Sequence, residues 1–209
     1  MKNNKKINKK SQKNLKKRKF LHKFDNFTVI STKTTFIEIG ALIGKNVIIY
    51  PNCYIDKNCI IGDNSIIFGN CFLQNCVCGQ GCKIGPFVHT REGTLLGDNV
   101  RLGNFCETKN AQIGNGVKVA HLCYIGDAQI DENCNIGCGV VFANFDGIKK
   151  HKTTIGANCF VGCNVNLIAP LNIGANCFVG AGTTVTQDLK VNSFAISRAE
   201  LKIKPNKRG

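Results

Sequence analysis

The chain has 209 residues, 43% of them hydrophobic, with 13 cysteines, no tryptophan and a formal charge of +15. That length suits one domain with a sizeable core, and no stretch approaches the roughly 20 apolar residues that span a bilayer. No apolar segment follows the positive residues at the start, so a secretory signal is not expected.

The charge is unevenly placed. Residues 1–24 carry eleven Lys or Arg and no acid, residues 202–209 carry four more bases, and all 13 acids lie in 25–201, where 13 bases balance them. The body is therefore formally neutral, and the excess charge belongs to two tails. Residues 1–27, rich in Lys and Asn, are read as a disordered, solvated arm. Contact of that arm with nucleic acid or membrane is not expected.

From residue 28 a different order begins. An aliphatic returns every six positions at Ile37, Ile43, Ile49, Ile55, Ile61, Ile67 and Leu73, and again at Ile155, Val161, Leu167, Ile173, Val179, Val185 and Val191. Two residues before most of these stands a small side chain, such as Ala41, Cys53, Cys59, Ser65 or Cys71. Six is neither a helical period nor a plain alternation; it predicts an all-β parallel β-helix, with three short strands per coil, over residues 28–191. The aliphatic and the residue two before it point inward, and the Gly or Asp that often follows turns the corner. Between the two runs the period slips, with intervals of eleven and five that each drop a residue at a corner. The largest departure separates Phe142 from Ile155 and inserts the loop Asn144–Lys152, on a face where binding is commonly built. Residues 192–209 leave the repeat as a basic C-terminal tail that covers the open end.

The cysteines follow the same logic. Cys76, Cys78 and Cys82 have a spacing that resembles half a zinc site, but nine cysteines (Cys53, Cys59, Cys71, Cys82, Cys106, Cys123, Cys134, Cys159, Cys177) stand where the repeat wants a small inward side chain. Free Cys serves there as a small hydrophobe. So many unpaired thiols fit a reducing, cytoplasmic compartment, and no metal is expected.

Three segments break the repeat with outward polar residues: Gly85–Arg91, Gly103–Lys109 and Ala120–Asp127. His121, two positions after the inward Val119, should face outward at a corner, accessible as a base. Arg91, Lys109 and Lys150 are cations on a neutral body, which fits an anionic ligand such as a phosphate. A carbonic-anhydrase reading needs three converging His, and the four present (His22, His89, His121, His151) include no close pair.

The segment from Cys82 to Arg198 resembles the C-terminal acetyltransferase domain of the bifunctional glucosamine-1-phosphate acetyltransferase/N-acetylglucosamine-1-phosphate uridylyltransferase family. The residues that carry the resemblance are Ile84-Gly85-Pro86-Phe87, Gly103-Asn104-Phe105, Ala120-His121-Leu122-Cys123-Tyr124-Ile125-Gly126-Asp127-Ala128, Asn135-Ile136-Gly137, Asn144-Phe145-Asp146-Gly147, Ala181-Gly182-Thr183-Thr184-Val185 and Ala195-Ile196-Ser197-Arg198. The His121 and Asn144 segments are the specific ones; the repeats are shared by many acyltransferases. The resemblance implies a left-handed solenoid, a homotrimer and acetyl-CoA as co-substrate. It makes His121 the general base for the sugar's 2-amino group, a task suited to an imidazole with an ordinary pKa of about 6.5. It makes Arg91, Lys109 and Lys150 ligands of the sugar phosphate, and Tyr124 and Asn135 contacts of the sugar. Glu107 would orient the site and Asn144 would lie at the acetyl-transfer centre. The Cys138 backbone N–H would serve as oxyanion donor, with Phe145, Cys163, Ala181 and Arg198 beside the coenzyme and the Lys202–Arg208 tail near its phosphates.

The chain departs from the family at Cys138 (Ala in the family), Phe145 (Tyr), Cys163 (Ser) and in a loop after Arg91 that is one residue shorter. No pyrophosphorylase signature precedes the repeat, so the expectation is N-acetylation of glucosamine 1-phosphate toward UDP-N-acetylglucosamine without uridylyl transfer, which a separate uridylyltransferase would supply. Two alternatives stand beside it: another amino sugar or sugar nucleotide as acceptor, or a non-catalytic scaffold with a polybasic arm.

Overall fold

The computed structural model describes residues 22–23 and 26–205; the predicted disordered arm lies, but for its last few residues, outside them, as do residues 206–209 of the basic tail. Among the described residues every regular element is a strand, most of them two or three residues long. They stack into a parallel solenoid of about nine coils with three faces. The first face runs from Phe27–Val29 through Val47–Ile49, Ile66–Ile67, Lys83–Ile84, Arg101–Asn104, Lys118–His121, Asn135–Ile136 and Phe160–Val161 to Phe178–Val179 and Phe194–Ala195. The sheet thus continues past residue 191 into Phe194–Ala195, and it opens on an antiparallel pair in which His22–Lys23, inside the stretch read as an arm, lies against Phe27–Val29. On the other two faces, Glu107–Ile113 and Tyr124–Ile130 are each seven residues long and turn the corner without a break.

Register explains the slips. Tyr54 lies over Phe36 and Phe178 over Phe160, a step of 18 residues, whereas Tyr124 lies over Glu107 and Lys118 over Arg101, a step of 17. One corner residue is lost in each of those coils, which lets the long strands run through. The step from Asn135 to Phe160 is 25, and the excess is the loop after Ala143.

The core is the repeat seen end-on. Ile49, Ile55, Ile61, Ile67, Leu73, Ile155, Val161, Leu167 and Val179 are fully buried, and eleven of the cysteines, including Cys76 and Cys78, point inward among them. The thirteen cysteines are free. A hydrogen bond shared with Cys76 and burial push the Cys59 thiol up, so it stays neutral and packs as a hydrophobe. Val191 is a correction: it is 57% exposed, because the last coil closes earlier, with Leu189 bridging Ile173 in its place.

Corners demand left-handed backbone, and Asn fills most of them, as at Asn52 (φ 62°), Asn70 (φ 62°), Asn158 (φ 59°) and Asn176 (φ 58°). Asn tolerates that region because its short amide bonds locally. The amides also stack along the axis: Asn52 donates to Asn70 at 3.1 Å and Asn158 to Asn176 at 3.3 Å. In three middle coils the same kind of corner holds Phe87, Phe105 and Leu122, at φ 56°, 58° and 50°, with their side chains half exposed. Large apolar residues in this region cost on the order of 1–2 kcal/mol each, so the exception marks a place where something other than chain stability sets the residue.

Candidate active site

The exception surrounds His121. Its strand, Lys118–His121, ends at the corner between the first and second faces, with His121 in register with Asn104 and the left-handed Leu122 next. The imidazole is exposed, as the repeat position predicts, and it has no hydrogen-bond or ion-pair partner among the described residues.

Around that corner, the second face and the inserted loop gather half of the other predicted residues. Arg91 and Lys109 stand outward in successive coils; the Arg91 backbone N–H donates to Thr108, and Lys109 is in register with Gly126. Each cation is held by a carboxylate. Arg91 Nη1 donates to Glu107 Oε1 at 3.0 Å, which holds the guanidinium pKa above its ordinary value. Lys109 Nζ lies 2.8 Å from Glu92, whose pKa it lowers. Glu107 therefore fixes the direction of the Arg91 guanidinium. Above them, a side chain at Gly126 would collide with the Tyr124 hydroxyl and fall 2.6 Å from Asn144 Nδ2, so a glycine there lets Tyr124 and Asn144 meet.

Asp127 is the residue to which the sequence reading assigned no role. It accepts from Asn110 Nδ2 at 2.7 Å and from Asn144 Nδ2 at 2.6 Å, and Lys150 Nζ lies 3.8 Å away. Asp127 thus ties the inserted loop to the coil that carries Tyr124. Its place in the His-Leu-x-Tyr-x-Gly-Asp run was the available signal. The loop is closed by a second carboxylate, Asp146, which accepts from the backbone N–H groups of Ile148 and Lys149, both at 2.8 Å, and pairs with His151 at 2.6 Å. These bonds push its carboxyl down to about 2.

The remaining residues lie off the second face, Cys138 among them: with Val119 opposite Ile136 and Tyr124 opposite Val141, it falls one coil beyond His121 at the same corner. Asn135 lies on the first face, in register with Lys118. Cys138 and Cys163 follow the first-face strands of successive coils, linked by the Asn164 N–H to the Cys138 carbonyl at 2.8 Å; Cys163 is exposed and Cys138 half-buried. Ala181 continues the row, joined by the Gly182 N–H to the Cys163 carbonyl at 2.8 Å, and Arg198 Nη2 reaches its carbonyl at 3.4 Å. Phe145 projects from the loop, 60% exposed. A row of small side chains along the axis, with a guanidinium at its far end, fits an extended thioester co-substrate that ends in phosphates. Among the described residues no group of three or more His, Cys, Asp or Glu is placed to hold a metal, and no helix is long and apolar enough to cross a membrane.

Fold and repeat define a hexapeptide-repeat β-solenoid, and the family models agree: "Bacterial transferase hexapeptide (six repeats)" matches residues 152–187 and "GMPPB C-terminal domain" matches residues 26–111. The chain belongs to that family and within it is a relative of the bifunctional protein GlmU, matching the C-terminal region of those proteins. It is 42% identical over 188 residues to bifunctional protein GlmU of Pelobacter propionicus, covering 82% of this chain and 41% of that protein. It is 44% identical over 195 residues to that of Clostridium perfringens, covering 86% and 43%. The chain thus spans about two-fifths of the length of the curated relatives it matches. Solved structures share the fold: UDP-N-acetylglucosamine acyltransferase from Campylobacter jejuni (19% identity, 77% of this chain and 69% of that one, TM-score 0.51) and LpxA from Bacteroides fragilis (23%, 76% and 68%, TM-score 0.51).

Proposed function

We propose that this chain is an acetyl-CoA-dependent N-acetyltransferase acting on the 2-amino group of glucosamine 1-phosphate, a step toward UDP-N-acetylglucosamine. The observation that carries the reading is His121: an exposed imidazole without a partner, at the corner beside the Arg91, Lys109, Tyr124 and Asn144 cluster. Acetyl-CoA supplies a thioester. The sugar amine attacks its carbonyl carbon, a C–N bond forms as the C–S bond breaks, and His121 takes the amine proton and passes it to the departing thiolate, which leaves as the free thiol. The Cys138 N–H supports the negative charge that develops on the carbonyl oxygen. Arg91, Lys109 and Lys150 bind the phosphate, Glu107 fixes the Arg91 fork, and Cys163, Ala181, Phe145 and Arg198 line the coenzyme.

The catalytic unit is the solenoid 28–191 assembled as a cytoplasmic homotrimer. Two features support the assembly. Asn135 and Tyr124 stand on different faces of one chain, an arrangement that a sugar lying between two subunits would bridge. The exposed apolar column Phe87, Phe105 and Leu122, with the Phe87 and Phe105 rings stacked at 5.1 Å, supplies a surface to bury between them.

The test is thiol release from acetyl-CoA with a panel of amino sugars, with and without the 1-phosphate. Equal use of glucosamine and its 1-phosphate would remove the proposed acceptor. A monomer mass by light scattering at micromolar concentration would remove the trimer.

A further inference from the structure

The first face carries a second set of cations. Outward positions in successive coils read Ile48, Ile66, Lys83, Arg101, Lys118 and Asn135, each in register with the next. Neighbouring coils lie about 4.8 Å apart, so Lys83, Arg101 and Lys118 form a straight row of three positive charges roughly 10 Å long. None of the three makes an ion pair or donates a side-chain hydrogen bond among the described residues.

The row borders a cavity of about 600 Å³, within the range of small-ligand sites, and no acidic residue is among those that line it. The neighbouring outward column holds Tyr50 and Phe68, stacked at 5.6 Å, and then Gly85 and Gly103. The aromatic ladder therefore stops where the cations begin, and Phe68 closes one end of the cavity with one side of its ring on Tyr50. Asn99 and Asn104 add amides to the wall.

We propose that this cavity binds a nucleoside diphosphate, with the two phosphates on Arg101, Lys118 and Lys83 and the base against Phe68. Three like charges held side by side without counter-ions repel one another, and an anion with more than one negative charge relieves that repulsion. A flat aromatic ring at the end of the row adds a surface for a base, worth about 1–3 kcal/mol in single-strand nucleic-acid sites. The cations of this row stand on the first face and Arg91 and Lys109 on the second, so variants of the two sets test this proposal and the acetyl-transfer reading separately.

The full chain, titrated calorimetrically at low ionic strength with UDP, ADP and inorganic pyrophosphate, provides the test. Saturable binding of both nucleotides, tighter than that of pyrophosphate, is expected. Arg101→Gln should weaken all three at least tenfold, Phe68→Ala should weaken the nucleotides and spare pyrophosphate, and Arg91→Gln should leave all three unchanged. Unaltered far-UV circular dichroism and melting would show each variant folded; Lys118→Gln stands in should Arg101→Gln fail to fold. The proposal is overturned by no saturable binding, as when a neighbouring subunit fills the cavity. It is also overturned by binding that survives Arg101→Gln or Lys118→Gln, or that is lost in Arg91→Gln. Pyrophosphate bound as tightly as UDP would remove the nucleoside.

Discussion

Two sets of three cations stand on the faces that meet near His121, and the two sets are partnered oppositely. On the second face and its loop, Arg91, Lys109 and Lys150 are each matched by a carboxylate, Glu107, Glu92 and Asp127. On the first, Lys83, Arg101 and Lys118 have none. Exposed ion pairs contribute little to stability, about 0–1 kcal/mol, so the pairs serve aim more than folding. A cation already directed by a carboxylate loses less side-chain entropy when a phosphate arrives, whereas an unpaired row offers stronger net attraction and looser geometry. The paired face suits a ligand that must be held in one orientation, as the proposed acceptor would be.

The sharpest way to break that contrast is at the base itself. His121→Ala should lower turnover by roughly 10²–10⁴-fold with little change in melting, since the residue is exposed and not part of the core; thiol release from acetyl-CoA reads it, and near-wild-type turnover in a folded variant would end the mechanism. Next in size, Arg91→Gln removes a charge-assisted contact worth about 1.5–3 kcal/mol and should raise the KM for the sugar phosphate by roughly 10–100-fold with kcat little changed. Glu107→Gln removes only the aim and should raise KM by about fivefold or less. An equal effect of the two would mean that Glu107 touches the sugar directly.

Between faces, Phe105→Asn replaces a left-handed phenylalanine with the residue that fills most other corners. The isolated chain should gain on the order of 1 kcal/mol while the proposed trimer weakens, so sedimentation at falling concentration and melting should move in opposite directions. A variant that melts lower as a monomer would show that Phe105 serves the coil and not the interface. The smallest effect belongs to Asp146. Its carboxyl is depressed from 3.8 to about 2 by the Lys149 and Ile148 N–H groups and by His151. A depressed carboxylate contributes order that is complete above its unfolded pKa and is lost as pH falls through the folded one. The loop should therefore hold to about pH 4 and open toward pH 2, and Asp146→Asn should abolish the step, as proteolytic nicking of the loop against pH would record.

The repeat was legible because every coil solves the same packing problem: Ile49, Ile55 and Ile61 recur at six because a three-sided coil needs one long inward residue per side, and Cys53 and Cys59 sit two before because little room is left. His121 was placed outward by counting from Val119, and the loop after Ala143 was visible as a gap. The end of the repeat was not: Val191 fits the period, yet the final coil is shorter, and nothing local to Val191 states how many residues its coil contains. Asp127 was visible only as part of a motif, because its role is a set of bonds to Asn110, Asn144 and Lys150, which lie 17 to 23 residues away along the chain.

The sequence by itself determined the solenoid, its inward residues and the corner on which His121 stands, since a fixed period converts chain position directly into side-chain direction. Only the tertiary structure decided which outward residues become neighbours. Steps of 17, 18 and 25 residues between coils select whether Lys109 meets Glu92 and whether Lys83, Arg101 and Lys118 align. Those steps are set by corner residues dropped or inserted far from the side chains they bring together.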